Sequence, residues 1–219
     1  HNHPNARNIM EAIQMSCNPY FYQAIKRVIQ PGKKSNIFAD AEVGLDLWAD
    51  YMHSFGLGNK LEIDIPGERG GLIPDANYYD NLFPSKRNPY GHHRWAFSTI
   101  RSISIGQGEV KVTPLQMANI AALIANRGWF YTPHLVKSIG GKGAKTDYRK
   151  KHMTKVDAKY YDPIIEGMRR AVNEGGGTAR QARIDSIIVC GKTGTAQNPH
   201  GADHSIFITF APMNNPKIA

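Results

Sequence analysis

The stretch Lys192-Thr193-Gly194-Thr195 follows the apolar run Ile187-Ile188-Val189-Cys190-Gly191, which predicts a strand that becomes polar at its end. The ammonium group of Lys192 supplies a positive charge, and the two threonine hydroxyls donate hydrogen bonds, which suits the capture of a peptide carboxylate. Gly194 would let a substrate backbone lie close against the strand. Taken alone, the short motif is as typical of a strand that runs into a turn.

The elements predicted around this strand indicate an α+β fold. A second strand is predicted at residues 204–211, and Asn214-Asn215-Pro216 predicts a turn into Ile218, which together make an antiparallel meander. The helical segments are predicted at residues 5–15, 19–29, 39–55, 115–126 and 160–173. A further strand is predicted at residues 129–139, whereas residues 57–95, rich in Gly, Pro, Asn and Asp, predict no regular structure. Helices followed by an antiparallel meander are typical of the α+β class.

The composition is that of a globular protein and excludes several other classes. The chain has 219 residues, of which 41% are hydrophobic and 21% charged, and no apolar run reaches the length of a membrane span. The net charge is +9, but the basic residues are scattered apart from Arg149-Lys150-Lys151-His152, which predicts a solvated loop. Nucleic-acid binding is therefore not favoured. Two cysteines, Cys17 and Cys190, do not make a disulfide framework, and both pairing and plain burial remain open.

A second polar motif, Ser16-Cys17-Asn18, lies between the first two predicted helices. A hydroxyl and a carboxamide on one turn could relay a proton and hold a peptide carbonyl, although alone the pair is more typical of a helix cap. Together with Lys192-Thr193-Gly194, it matches two of the three motifs of the penicillin-recognising serine enzymes. In that group the third motif, Ser-x-x-Lys, supplies the nucleophile.

The resemblance to this group extends over nearly the whole chain. The stretches that carry it are Ile65-Pro66-Gly67-Glu68, Gly70-Gly71-Leu72-Ile73-Pro74, Ser104-Ile105-Gly106-Gln107-Gly108, Val112-Thr113-Pro114-Leu115-Gln116, Ala125-Asn126-Arg127-Gly128, Gly177-Thr178-Ala179 and Gly191-Lys192-Thr193-Gly194-Thr195-Ala196-Gln197. In this order they resemble the transpeptidase domain of a class B penicillin-binding protein. The aromatic residues Tyr20-Phe21-Tyr22 resemble the elongation, or rod-shape, type more than the division type.

The resemblance implies a penicillin-binding transpeptidase or serine β-lactamase-like fold, with helices packed on an antiparallel sheet. It also implies a D,D-transpeptidase that cross-links peptidoglycan stem peptides through an acyl-enzyme and is acylated by β-lactams. The implied catalytic residues are Ser16 as a proton relay, Asn18 as a partner of the substrate backbone, and Lys192 as the electrostatic centre. Thr193, Gly194, Thr195 and Gln197 are implied to bind substrate. The backbone N–H of Thr195 would supply half of an oxyanion hole, whose loss typically costs ~10²–10³ in rate.

The chain departs from the family at its nucleophile, because no serine in the 219 residues is followed three positions later by lysine. We therefore expect residues 1–219 to be part of a single transpeptidase domain, with the nucleophile helix upstream of His1. The last strand or strands would follow Ile218, and the membrane anchor would also lie outside the chain. Because a nucleophile and its base act as a unit, we expect that the chain alone cannot be acylated.

Two other functions remain open from the residues. One is a β-lactamase or β-lactam sensor on the same fold, and the other is a non-catalytic basic binding module. No cofactor or metal is predicted: His3 and Cys17 lie near the place where some elongation-type relatives hold zinc, but two ligands do not make a tetrahedral site. The resemblance implies a membrane glycosyltransferase partner, and a protein anchored in the cytoplasmic membrane that faces the periplasm or cell wall.

Overall fold

The computed structural model of the chain describes residues 6–84, 95–198 and 200–219. Within these ranges there are seven α-helices: α1 (Ile9–Met15), α2 (Asn18–Ile29), α3 (Ile37–Ser54), α4 (Ala76–Leu82), α5 (Phe97–Ile100), α6 (Pro114–Ala125) and α7 (Tyr161–Asn173). Short 3₁₀ helices lie at Arg101–Ile105, Thr146–Arg149, Ala158–Tyr160 and Arg180–Ala182. None of the helices in these ranges has both the length and the hydropathy needed to cross a membrane.

Six strands form three two-stranded antiparallel ladders in the described part of the chain. The strands are β1 (Trp129–Phe130), β2 (Ser138–Ile139), β3 (Lys142–Gly143), β4 (His152–Met153), β5 (Cys190–Ala196) and β6 (His204–Phe210). β1 pairs with β4 and β2 with β3, whereas the longest ladder joins β5 to β6 from Cys190↔Phe210 to Ala196↔His204. The predicted turn after β6 is confirmed, since Ala211 pairs with Ile218.

Side-chain caps determine where the helices that position the site begin. Asn8 accepts a hydrogen bond from the backbone of Glu11 at the start of α1, and Asn36 caps α3 in the same way. The predicted start of α6 is confirmed: Thr113 and Gln116 form a reciprocal capping box, with Pro114 at the first helical position.

Helix α7 packs against both α1 and β5. Gly167 makes the close approach of α1 and α7 possible, because a Cβ at this position would lie 2.9 Å from the Cβ of Ile13. The core around these elements contains Leu123, Ile165 and Phe210, each about 1% exposed. A second apolar cluster, which includes Leu45, Tyr79 and Trp95, joins α2 to α5. The α+β class is thus confirmed, with helices on an antiparallel ladder.

Two predictions of local structure were wrong because long-range contacts decide them. Residues 57–95 were expected to lack regular structure, yet they contain α4, which Asp75 caps and whose Ala76 N–H bonds the carboxylate of Asp46 at 2.8 Å. Of the strand expected at residues 129–139, only the two residues at each end form strands, β1 and β2. Between its ends Pro133 has no N–H to donate, and Asp64 accepts the N–H groups of the two residues after His134.

The boundaries of other predicted elements shift by a few residues. Helix α3 begins two residues before the predicted start, at its Asn36 cap. Strand β5 begins at Cys190 rather than Ile187, whose N–H bonds the carbonyl of Ile184 in a turn. The basic cluster at residues 149–152 is exposed as predicted, and Lys151 lies 4.0 Å over the ring of Trp129.

Candidate active site

Ser16 lies at the junction of α1 and α2 in a backbone conformation that L-residues rarely adopt. Its φ is 56° and its ψ is 51°, in the left-handed region. This conformation costs about 1–2 kcal/mol for a residue other than glycine. The N–H of Cys17 bonds the carbonyl of Ala12 at 2.9 Å, which closes the end of α1, and α2 then begins at Asn18. A strained serine between two helices is a feature that marks functional sites.

Lys192 on β5 reaches across to this junction. Its Nζ donates a hydrogen bond to Ser16 Oγ at 2.8 Å and another to the carbonyl oxygen of Thr193 at 2.6 Å. Because burial disfavours the charged form of the amine, the pKa of Lys192 is lowered to about 8. The two predicted motifs, 176 residues apart, therefore meet through a direct contact of their polar side chains.

The carbonyl groups of β5 point alternately to its two edges. The carbonyl of Cys190 accepts a bond from the hydroxyl of Thr209 on β6, so the even-numbered carbonyls point towards β6. The carbonyl of Ile188 likewise accepts the N–H of Met213 at 2.9 Å. By alternation, the backbone groups of Thr193 and Thr195 point to the opposite edge. In the described part of the chain no strand pairs with that edge.

A third threonine, which was not predicted as a site residue, supports the hydroxyl of Thr193. Thr193 Oγ1 donates to Thr178 Oγ1 at 2.9 Å. Thr178 is itself fixed, because its N–H bonds the carbonyl of Gln14 in α1 at 3.2 Å. The sequence signal for this residue was its place in the Gly177-Thr178-Ala179 stretch, although no role followed from it.

Gly194 has no close neighbour among the described residues that a side chain would clash with. A Cβ added there would meet only the Cβ of Ile206, at an ordinary 3.7 Å. Gly191 differs, since a Cβ there would lie 2.5 Å from the ring of Phe207. Packing between β5 and β6 therefore explains why residue 191 is a glycine, but it does not explain why residue 194 is one.

A cleft of about 410 Å³ lies between the serine junction and β5. It is lined by Ser16, Asn18, Phe21, Ser104, Ile105, Gln107, Lys192, Thr193, Gly194 and Thr195. Six of these are predicted site residues, and the other four come from stretches that carried the family resemblance. Ser104 Oγ is buried and has no hydrogen-bond partner among the described residues. Gln197 lies one residue beyond β5, is exposed and is not part of the lining, so its role in substrate binding stays a prediction.

Contacts beneath the cleft hold β5 against α7. Asn173 Nδ2 donates to the carbonyl of Val189 at 2.8 Å, just before the strand. The guanidinium of Arg169 hydrogen-bonds Glu166 and holds the pKa of that carboxyl at about 2, well below its usual range. The bond of Asn173 therefore joins the start of the site strand to α7, and the ion pair of Arg169 and Glu166 lies within that helix.

The two cysteines are free thiols and both are buried. Burial raises the pKa of Cys190 to about 12, so this thiol is not a nucleophile near neutral pH. Cys17 is 1% exposed. His3, the other residue considered as a zinc ligand, lies outside the described residues.

An α+β fold that brings a Ser-x-Asn turn against a Lys-Thr-Gly strand defines the penicillin-recognising class of proteins. Comparison with protein families is in agreement: the model described as "Penicillin binding protein transpeptidase domain" matches residues 1–219. The chain therefore belongs to the family of penicillin-binding protein transpeptidase domains.

Relatives within the family include elongation-type proteins, as the sequence resemblance indicated. The peptidoglycan D,D-transpeptidase MrdA of Acinetobacter baumannii is 31% identical over 97% of this chain and 30% of its own length. The Escherichia coli K12 protein of the same name is 26% identical over 97% of this chain and 33% of its own length. The chain thus spans about a third of the length of these curated relatives.

Solved structures show the same fold. The structure of Pseudomonas aeruginosa PBP2 in complex with WCK 5153 has a TM-score of 0.73 and 28% identity, and covers 100% of this chain and 47% of that one. The complex between PBP2 and MreC from Helicobacter pylori has a TM-score of 0.70 and 25% identity, over 98% of this chain and 35% of that one. The predicted penicillin-binding transpeptidase fold is confirmed.

Proposed function

We propose that this chain carries the proton-relay and carboxylate-binding half of a peptidoglycan D,D-transpeptidase site. The observation that supports this most strongly is the bond of 2.8 Å between Lys192 Nζ and Ser16 Oγ. It joins the two motifs that act together in the family. Their common cleft also has an open strand edge along which a peptide could lie.

The direction of this bond supports the proposal that Ser16 acts as a proton relay. The ammonium of Lys192 donates to the serine oxygen, so the hydroxyl proton of Ser16 points to a third group. In the proposed reaction that group is first the lysine of the Ser-x-x-Lys motif and then the amine that leaves the donor peptide. Lys192 keeps the relay polarised, and its own positive charge attracts the substrate carboxylate.

The open edge of β5 is proposed to bind the donor peptide as an added strand. Main-chain bonds along such an edge supply affinity without selecting side chains. The hydroxyls of Thr193 and Thr195 would bind the terminal carboxylate, and the N–H of Thr195 would contribute to the oxyanion hole. Asn18, on the opposite wall of the cleft, would donate to a carbonyl of the bound peptide. Gly194 leaves room for the substrate backbone.

The nucleophile is proposed to come from a Ser-x-x-Lys segment outside residues 1–219. Its oxygen would form an ester with the carbonyl carbon of the penultimate D-residue of the donor stem peptide, while the bond to the terminal D-residue breaks and the leaving amine takes a proton through Ser16. The amine of a second stem peptide would then attack the ester, which releases the serine and forms the cross-link. With a β-lactam the same attack opens the ring.

We further propose that the protein is anchored in the cytoplasmic membrane, faces the periplasm or cell wall, and acts beside a membrane glycosyltransferase. The support is similarity to a structure titled as a peptidoglycan synthase complex, with a TM-score of 0.73 and 30% identity over 95% of this chain and 31% of that chain. Co-purification of the whole gene product with a polytopic glycosyltransferase from detergent-solubilised membranes would test this. Recovery of the protein from the soluble fraction without such a partner would contradict it.

Acylation of the whole gene product by a fluorescent penicillin tests the catalytic proposal. We expect Lys192→Met and Ser16→Ala to lower the second-order labelling rate by about 10²–10⁴, the usual contribution of a proton-transfer group. Lys137→Met, at an exposed position outside the cleft, is the matched control for loss of a lysine and should label as the wild type does. Equal labelling of all three variants would contradict the proposal, and rapid loss of the label would favour a β-lactamase instead.

A further inference from the structure

Gln107 bridges the cleft from the wall opposite β5. Its side-chain Nε2 donates a hydrogen bond to the backbone carbonyl of Thr195 at 2.8 Å, although the two residues are 88 positions apart. Gln107 also lines the same cleft as Ser16 and Lys192. The contact lies at the strand position to which the oxyanion hole is assigned.

The backbone that carries Gln107 is a tight turn. The 3₁₀ helix Arg101–Ile105 ends at Gly106, whose φ is 71°, and Gly108 has a φ of 73°. The N–H of Gln107 bonds the carbonyl of Ser102 at 3.1 Å, and a Cβ on Gly108 would lie 3.1 Å from the Ser102 Cβ. Both glycines therefore suit the positive φ values of this turn, which presents the side chain of Gln107 to β5.

Gln107 occupies a hydrogen-bond acceptor, the carbonyl of Thr195, that a bound peptide needs. The carbonyl of Thr195 points to the open edge of β5, as does the carbonyl of Thr193, which Lys192 Nζ contacts. An extended ligand that adds to this edge would donate its own amide N–H to the carbonyl of Thr195. The primary amide of a glutamine side chain presents the same N–H donor as a peptide bond.

We propose that Gln107 is a specificity-determining residue that occupies the place of a ligand amide N–H at the carbonyl of Thr195. The inference rests on the proposed function, because it concerns ligands of the same cleft. A ligand with an amide N–H next to its reactive carbonyl must displace Gln107, and exchanges one neutral hydrogen bond for another. A ligand without that N–H leaves Gln107 in place and gains nothing from its removal.

The test compares two β-lactams on the whole gene product. Benzylpenicillin carries an acylamino N–H next to its ring carbonyl, whereas a carbapenem carries a hydroxyethyl group there. Gln107→Met keeps the length of the side chain and removes its donor. We expect the second-order rate of acylation by benzylpenicillin to rise about 3- to 10-fold, the worth of one neutral hydrogen bond. The rate with the carbapenem should change less than about 2-fold.

A second variant and a stability measurement separate this role from a structural one. Gln107→Asn keeps the amide but is shorter by one methylene, and should shift the ratio of the two rates in the same direction as Gln107→Met. Both variants should unfold within a few degrees of the wild-type temperature, because one neutral hydrogen bond is worth about 1 kcal/mol. An equal fall with both β-lactams would show that the bond positions β5 and would overturn the inference, as would an unchanged ratio. If the wild type reacts with neither β-lactam, the proposed function fails and this inference with it.

Discussion

Replacement of Lys192 by Met removes an amine whose burial lowers its pKa from 10.5 to about 8. Because the folded pKa lies below the unfolded one, the unfolded chain binds more protons between these two values, and the stability of the wild type rises with pH across that window. The charged amine costs the folded wild type about 3 kcal/mol at pH 7, at about 1.4 kcal/mol for each pKa unit. At pH 9.5 the cost is about 1 kcal/mol.

The variant has no such cost, but it loses the bonds of Lys192 to Ser16 and to the Thr193 carbonyl. Each bond of the neutral amine is worth about 1 kcal/mol, and what the positive charge adds or removes is already counted in the pKa of Lys192. The difference in free energy of unfolding, variant minus wild type, should therefore be about +1 kcal/mol at pH 7 and about −1 kcal/mol at pH 9.5. A residue of the site would thus be destabilising at neutral pH, which is common where a protein places a charge for function.

Urea unfolding of both proteins at pH 7 and pH 9.5 measures this difference, because the titration of all other groups cancels between them. Lys137→Met, at an exposed position, controls for the loss of one positive charge. A difference between Lys192→Met and wild type that is the same at both pH values would refute the argument that Lys192 is desolvated in the folded protein.

Three further predictions concern the residues around the cleft. Gly194→Ala should change the free energy of unfolding by less than about 0.5 kcal/mol while lowering the rate of penicillin acylation at least 10-fold. Gly191→Ala should instead lower the free energy of unfolding by about 1–3 kcal/mol, because its Cβ would lie 2.5 Å from the ring of Phe207. Equal stability losses in the two variants, measured by urea unfolding, would contradict this. Ser16→Gly should be about 1–2 kcal/mol more stable than Ser16→Ala, because both variants lose the bond from Lys192 whereas only glycine adopts the positive φ without strain, and both should fail in acylation assays; equal stability of the two variants would show that the backbone is not strained. Thr113→Ala should lower the stability by about 1 kcal/mol through loss of the cap of α6, with an unchanged acylation rate, and a large change in that rate would argue against a purely structural role.

The parts of the fold that follow from local chemistry were predictable from the sequence. The start of α6 depends on Thr113 and Pro114, which are adjacent in sequence and whose effect on a helix is known. The turn into Ile218 was predictable because Asn214-Asn215-Pro216 are adjacent residues of types that favour turns. Helix α4 was missed although Asp75 is a local cap, because its seven residues are too few to show a helical period and its first N–H depends on Asp46, which is 30 residues away.

The residues of the site also divide into those that sequence motifs predict and those whose roles depend on contacts between distant segments. Ser16 and Lys192 were predicted because two short motifs in the right order are specific when taken together. The supporting contacts of Thr178 and Gln107 were not predicted, although both residues lie in stretches that carried the resemblance. Their roles depend on side-chain hydrogen bonds between distant segments, which the residue types alone do not determine. The desolvation of Lys192 likewise becomes visible only once the chain is folded.

The most direct test of the central claim is to label the 219-residue chain and the whole gene product side by side with a fluorescent penicillin, and then to map the acylated residue by mass spectrometry. The claim is that residues 1–219 hold the relay and the carboxylate site, but not the nucleophile. We expect label only on the whole gene product, on a serine that precedes a lysine by three positions and lies outside this chain. An adduct on any serine within residues 1–219, or no label on either protein, would contradict the claim.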